Sequence, residues 1–254
     1  MDFQTILYET TEDCATITLN RPERKNAISL ELSTEVGMAI DKAVADSAIS
    51  FVVLTGSGGI FSSGADFSNP EKAITMIRQE LDAASGTSTA IKLIECPKPV
   101  IAAVNGHALG HGAEYALMCD LIIAAEHAEF GFIGPIRGVT CPYAMIRLAD
   151  EVGRAKAKEL VMTCERIPAH EALRIGLINQ VVPIESLMEA VDVMKAKIRR
   201  AAPLAVKFTK EAINQGLGGY EFSARVFEGI IQSKDAFEGA MAFMEKREPR
   251  WSNE

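Results

Sequence analysis

Val100-Ile101-Ala102-Ala103-Val104 is a continuous apolar run, closed at once by Asn105-Gly106-His107-Ala108-Leu109-Gly110-His111-Gly112-Ala113-Glu114. A short apolar run bounded by a turn signal reads as a strand buried on both faces, the kind that layers of helices cover. Glycines recur until Ala113-Glu114-Tyr115-Ala116-Leu117-Met118 opens a helical stretch. Strand, glycine-rich loop and helix in that order bring free N–H groups and the positive end of a helix to one point. Glu114 stands beside that point.

The same grammar extends outward. Phe51-Val52-Val53-Leu54-Thr55 reads as another buried strand, and Gly56-Ser57-Gly58-Gly59-Ile60-Phe61-Ser62-Ser63-Gly64-Ala65-Asp66-Phe67 follows it. Leu121-Ile122-Ile123-Ala124 is a further one, while Ala15-Thr16-Ile17-Thr18-Leu19 alternates like a half-buried strand until Asn20-Arg21-Pro22 breaks it. Leu32, Val36, Ile40 and Val44 recur every four residues and mark one face of a helix from Leu30 to about Asp46. This alternation predicts α/β layers. Beyond Pro183 the pattern is helical over 186–200, 203–215 and 220–246, the last with a break near Ser233. The expected division is therefore a core over 1–195 and a helical region over 196–254. That region is too thin to bury its own apolar faces and must pack on the body or on another subunit.

Composition narrows the function classes. Hydrophobic residues make up 48% and charged residues 24%, as in globular chains. Five cysteines with no C-x-x-C pair suit a reducing compartment. Met1-Asp2-Phe3-Gln4 shows no leader pattern and no run approaches the ~18 apolar residues of a membrane span, so a soluble, cytoplasmic protein without membrane contact is expected. A net charge of −8 argues against nucleic acid as a partner, because displacing phosphate counterions needs a basic stripe.

Several chemistries compete for the glycine loops. Gly110-x-Gly112 after a strand suggests a dinucleotide fingerprint, but Tyr115 occupies the third glycine position. His107, His111 and Glu114 are metal-ligand types, yet the intervening glycines disfavour one continuous helix through them. Ser62 and Ser63 lie outside any G-x-S-x-G elbow. Two tight turns with Glu114 as a helix-terminal residue remain the plain structural alternative.

Leu19-Asn20-Arg21-Pro22 with Asn26-Ala27, Phe61-Ser62-Ser63-Gly64-Ala65-Asp66, and Pro99 to Gly106 resemble successive signatures of the crotonase (enoyl-CoA hydratase/isomerase) superfamily. They come in the family's order, and the likeness continues through Met118-Cys119-Asp120, Phe130-Gly131, Ala172 to Ile178 and Phe243-Met244-Glu245-Lys246-Arg247. The resemblance implies a spiral of ββα units and a C-terminal helical region that mediates a homotrimer, often paired into a hexamer. It implies an acyl-CoA substrate, fatty acid metabolism, no metal, and no cofactor beyond the coenzyme A carried by the substrate. It implies an oxyanion hole formed by the N–H groups of Ala65 and His111, with Glu114 as the acid/base. Negative charge developing on a thioester oxygen needs such donors, held ready in a dry site. For coenzyme A the resemblance maps contacts to Glu23 through Ala27, with Arg24 or Lys25 near phosphate, and to Asp66; Phe227 and Lys246 match positions that reach adenine or phosphate. Ser63, Phe67, Gly110, Gly134 and Tyr143 fall at substrate-lining positions, and the acyl group is shaped by the segment about Asn69 to Thr89.

One departure stands out. Family hydratases carry a second Glu shortly after the Phe-Gly pair, and here Gly134 occupies that place in Phe130-Gly131-Phe132-Ile133-Gly134-Pro135. The following Val139-Thr140-Cys141-Pro142-Tyr143-Ala144 also lacks the glycine-rich turn usual in hydratases. Hydration of an enoyl-CoA through Glu114 alone is the expected reaction. Double-bond isomerisation, hydrolysis, decarboxylation or binding without turnover are the alternatives, with Tyr143, Cys141 and the His111 side chain as further candidates for proton transfer.

Overall fold

The computed structural model describes residues 3–82, 86–215, 229 and 233–253. Two compact units emerge, Met1–Val191 and Asp192–Glu254.

In the first unit the strands are β1 (Ile6–Thr11), β2 (Cys14–Leu19), β3 (Phe51–Gly56), β4 (Val100–Val104), β5 (Ala108–Leu109), β6 (Leu121–Ala125), β7 (Glu129–Gly131), β8 (Ile167–Pro168) and β9 (Gln180–Val182). The helices are α1 (Leu30–Ala45), α2 (Pro70–Leu81), α3 (Thr89–Glu95), α4 (His111–Met118), α5 (Ala149–Val152), α6 (Arg154–Thr163) and α7 (Ala169–Arg174), with α8 (Leu187–Ile198) crossing the unit boundary. A six-stranded sheet runs β1-β2-β3-β4-β6-β9, antiparallel only between β1 and β2, and a three-stranded sheet runs β5-β7-β8. From β4 to β7 the chain steps between them: β4 lies in the large sheet and β5 in the small one before α4, and β6 and β7 repeat the step. Isolated bridges Ile28–Ala65 and Ser62–Ala108 carry this two-layer turn back to the segments after β2 and β3. That is the expected ββα winding.

Burial explains the central strands. All of β4 is solvent-free, as are Val52, Val53 and Leu54 of β3, so these runs have no polar face to show. α1 starts on Ser29, whose hydroxyl accepts from Leu32 N–H at 3.2 Å, and it buries Leu32, Val36, Ala39, Ile40 and Ala43. Val44, expected on that face, is partly exposed instead: a 3.6-residue period drifts from a strict four-residue one, and Ala43 takes the inward place. α2 opens on Asn69, whose side chain accepts from Lys72 N–H at 3.0 Å, with Pro70 in its first turn.

The second unit contains α9 (Pro203–Gln215) and α10 (Lys234–Glu245), and its described residues after Glu245 are irregular. Ser233 caps α10 through Ala236 N–H, and buried Asp235 accepts from Ser252 and Asn253 to fasten the chain's last residues. Phe237, Phe243 and Met244 of α10 are 70%, 86% and 67% exposed. Among the described residues no helix is long and apolar enough to cross a membrane.

Candidate active site

The first glycine loop is held from behind by Asn26. Its Oδ1 accepts from Arg21 N–H at 2.9 Å, and its amide donates to Ser57 and Ile60 carbonyls at 2.9 and 2.8 Å, all with the residue fully buried. Ser62 Oγ donates to Asn26 O at 2.8 Å, and Ser63 N–H donates to Lys25 O at 3.0 Å. Gly64 then turns with φ of +104°, and a Cβ there would meet Leu109 O at 2.9 Å and His111 N at 3.5 Å. The two loops thus touch backbone to backbone. Gly112 has a similar reason to be glycine, since a Cβ would lie 2.6 Å from that of Ser62.

This contact brings two N–H groups together. The N–H groups of Ala65 and His111 donate to no acceptor among the described residues, and His111 opens α4, where an N–H has no partner within the helix. A cavity of about 680 Å³ adjoins them, within the size range of small-ligand sites. Ser63, Gly64, Ala65 and Phe67 line it from the first loop, and Gly110, His111 and Glu114 from the second. Ile77, Glu80 and Leu81 of α2 line it too, as do Ile133, Gly134, Arg137 and the segment 139–142.

Glu114 is 2% exposed and firmly held. Its Oε1 accepts from Tyr143 N–H at 2.9 Å and Ala144 N–H at 3.1 Å, and its Oε2 lies 3.0 Å from His111 Nδ1. Burial opposes charging that imidazole; the hydrogen bond and charge of Glu114, with the charge of Glu80, outweigh it and hold the His111 pKa above its ordinary value. A buried carboxyl group with three donors, next to two unengaged N–H groups, is equipped to exchange a proton with something in the cavity.

Residues 9–254 match the family described as enoyl-CoA hydratase/isomerase. The chain belongs to that family. A probable mitochondrial enoyl-CoA hydratase of Dictyostelium discoideum is 38% identical over 93% of this chain and 87% of its own length. A crotonyl-CoA hydratase of Syntrophomonas wolfei is 36% identical over 97% of each. The crystal structure of an enoyl-CoA hydratase from Bacillus anthracis superposes with a TM-score of 0.88 at 34% identity, covering 99% of this chain and all of that one. The fold of this enoyl-CoA hydratase/isomerase family member is thereby the crotonase fold.

The remaining expected site residues fall in several places. Arg24 and Lys25 project into solvent from a 3-10 turn, joined to the cavity loop through Lys25 O. Ala27 O accepts from Arg21 Nη1 at 2.7 Å, and the same nitrogen pairs with Asp66 at 2.9 Å. Burial would raise the Asp66 pKa, but hydrogen bonds from Ser68 and the Arg21 guanidinium bring it below the usual value. Lys246 caps α10 in the second unit and is exposed, and Phe227 lies outside the described residues. Tyr143 differs from the expected substrate contact: its hydroxyl donates to Glu80 O and lies 3.2 Å from Ser88 Oγ, so its backbone N–H alone serves Glu114. Burial, with the charges of Glu80 and Glu114, pushes that phenol up to about 12. Burial and the nearby Glu114 push the Cys141 thiol up to about 11, so it stays protonated at neutral pH.

Glu80 was not anticipated. It is 1% exposed, and its carboxylate accepts from Ser33 Oγ, from Tyr115 Oη at 2.9 Å, from Ala90 N–H at 2.9 Å and from Ser88 Oγ at 3.3 Å. Its signal in the sequence is a carboxylate on the stripe Ala73, Met76, Ile77, Glu80, where α2 otherwise places apolar residues inward. With four donors it anchors α2 over the cavity.

Gly134 holds the place where the family resemblance implies a second carboxylate. A Cβ there would lie 2.9 Å from Cys141 Sγ and 3.0 Å from Thr140 O, so the 140–141 segment fills the space a second carboxylate needs. Gly134→Ala is expected to cost about 1–3 kcal/mol through overpacking. A fall in melting temperature checks this; an unchanged melt means the segment yields freely.

Proposed function

We propose that this chain hydrates an enoyl-CoA thioester, with Glu114 as its single acid/base and the Ala65 and His111 N–H groups as the oxyanion hole. The observation that carries it is Glu114, buried on three donors at the wall of a cavity that also presents two unengaged N–H groups. The thioester oxygen accepts from those two groups. Water gives a proton to Glu114 while its oxygen adds to Cβ, the double-bond electrons pass to the thioester oxygen, and the same proton then moves to Cα. No metal or separate cofactor takes part; coenzyme A arrives with the acyl group. Arg24 and Lys25 answer its phosphates, and Ala27 and Asp66 its adenine. Ser63, Phe67, Gly110 and Gly134 line the acyl path, and the family resemblance adds Lys246 and Phe227 as adenine or phosphate contacts. The exposed Phe237, Phe243 and Met244 support assembly as a homotrimer or hexamer, and the cysteine usage supports the cytoplasm.

Reaction of purified protein with crotonyl-CoA in ¹⁸O-water tests this reading. Label at the β-carbon is the expected result. Movement of a double bond with no oxygen incorporated overturns hydration in favour of isomerisation.

A further inference from the structure

We propose that the His111 imidazole is a positioning residue: its Nδ1–H bond to Glu114 Oε2 lets one carboxyl group act as both base and acid in a site without a second carboxylate. This inference rests on the hydration reading.

The two oxygens of Glu114 are not equivalent. Oε1 accepts two backbone N–H groups, which account for both of its lone pairs. Oε2 accepts only from His111, so it keeps one lone pair for a proton. His111 therefore selects the oxygen that reacts and fixes its direction. His111 Nε2 is buried and has no partner among the described residues, where the ring's polar contact is made through Nδ1. Two tilted aromatic rings flank the imidazole, with centroids 4.8 Å away at Tyr115 and 6.4 Å away at Tyr143.

A lone carboxyl group meets opposing demands. It must take a proton from water and then release it to Cα, and burial alone makes a carboxyl group reluctant to release. A donor that stays on Oε2 through both steps favours the anion and so eases the second. The atoms balance without a further acid: one O–H bond and the Cα=Cβ π bond break, O–Cβ forms, and the same proton makes Cα–H. The groups facing the pair from neighbouring elements are Glu80 on α2, Tyr115 on α4, and Cys141 and Tyr143 on the adjoining segment. Neither phenol nor the thiol titrates near neutrality, and the negative partners reinforce the upward shift of His111.

Two substitutions isolate the donor, because both keep the backbone N–H. H111A removes the imidazole, whereas H111N places an amide N–H near the position of Nδ1. For hydration of crotonyl-CoA, H111A is expected to move the acid limb of kcat/KM upward by about one pH unit, a roughly tenfold loss on that limb. H111N is expected to return it toward wild type, with affinity for butyryl-CoA steady throughout. A purely structural role lowers the rate at every pH and leaves the limb in place; that result, or H111N behaving as H111A, overturns the proposal. The pair is also read without turnover. The chain has four histidines, and H111A assigns the His111 signal in a histidine-selective ¹⁵N spectrum. Glu114→Gln is expected to lower the His111 titration midpoint, and an unmoved midpoint overturns the dyad. If the wild type hydrates nothing while this midpoint moves, the hydration reading fails and the dyad stands.

Discussion

Glu114→Gln is expected to cut turnover by roughly 10²-fold or more while the affinity for a saturated acyl-CoA stays near wild type. The separation is expected because glutamine keeps the shape of the anchor. Its carbonyl oxygen accepts from Tyr143 and Ala144 N–H as Oε1 does, and its amide donates to His111 Nδ1 in the other imidazole tautomer. What it loses is the basic lone pair on Oε2. In the proposed reading, binding uses the two N–H groups, which the substitution leaves alone, and a cavity wall whose shape at position 114 glutamine preserves. Steady-state turnover of crotonyl-CoA and calorimetric binding of butyryl-CoA check the two halves. Full activity in the variant removes Glu114 from the chemistry. Cys141 and Tyr143 are then weak successors, since both hold their protons well above neutrality. Glu80, the other carboxylate on the cavity wall, becomes the group to test.

The inner strands of the large sheet, β2, β3, β4 and β6, were legible from their apolar patterns, whereas β1, mostly exposed, and β9, half-buried, were not. Val100 to Val104 has only apolar residues to offer, and its place between β3 and β6 leaves all of them buried. The glycine loops were legible for a related reason: Gly64 and Gly112 stand where a side chain would collide with the facing loop. The small sheet was not. Ala108–Leu109 and Ile167–Pro168 are too short to show a period, and their pairing partners come from distant turns of the spiral. α2 was obscured by its charges, and with it Glu80, whose donors Ser33, Tyr115, Ser88 and Ala90 lie on three other helices or their caps. That Gly134 stands where family hydratases carry a second carboxylate could be read from the resemblance around Phe130-Gly131. That Cys141 and Thr140 occupy its space could not, because only the fold brings 134 against 140–141.

The same distinction between backbone and side chain sets the largest effect expected at the oxyanion hole. His111→Pro removes the N–H and the imidazole together, and His111→Ala removes the imidazole alone. His111 is the first residue of α4, a position that proline tolerates because its N–H has no helical acceptor. Gly110 precedes it and has no Cβ to clash with the proline ring. The helix should therefore form, and a melting temperature for His111→Pro close to that of His111→Ala verifies it. With the fold intact, loss of one oxyanion donor is expected to lower kcat by about 10²–10³-fold relative to His111→Ala. The remaining Ala65 N–H accounts for residual activity. Weaker stabilisation of the enolate oxygen slows both formation of the O–Cβ bond and exchange of the Cα proton. Deuterium exchange at Cα of butyryl-CoA, an enolisation that involves no water addition, should fall alongside hydration. If His111→Pro and His111→Ala turn over at the same rate, the thioester oxygen is held elsewhere and the paired N–H groups of Ala65 and His111 are not the oxyanion hole.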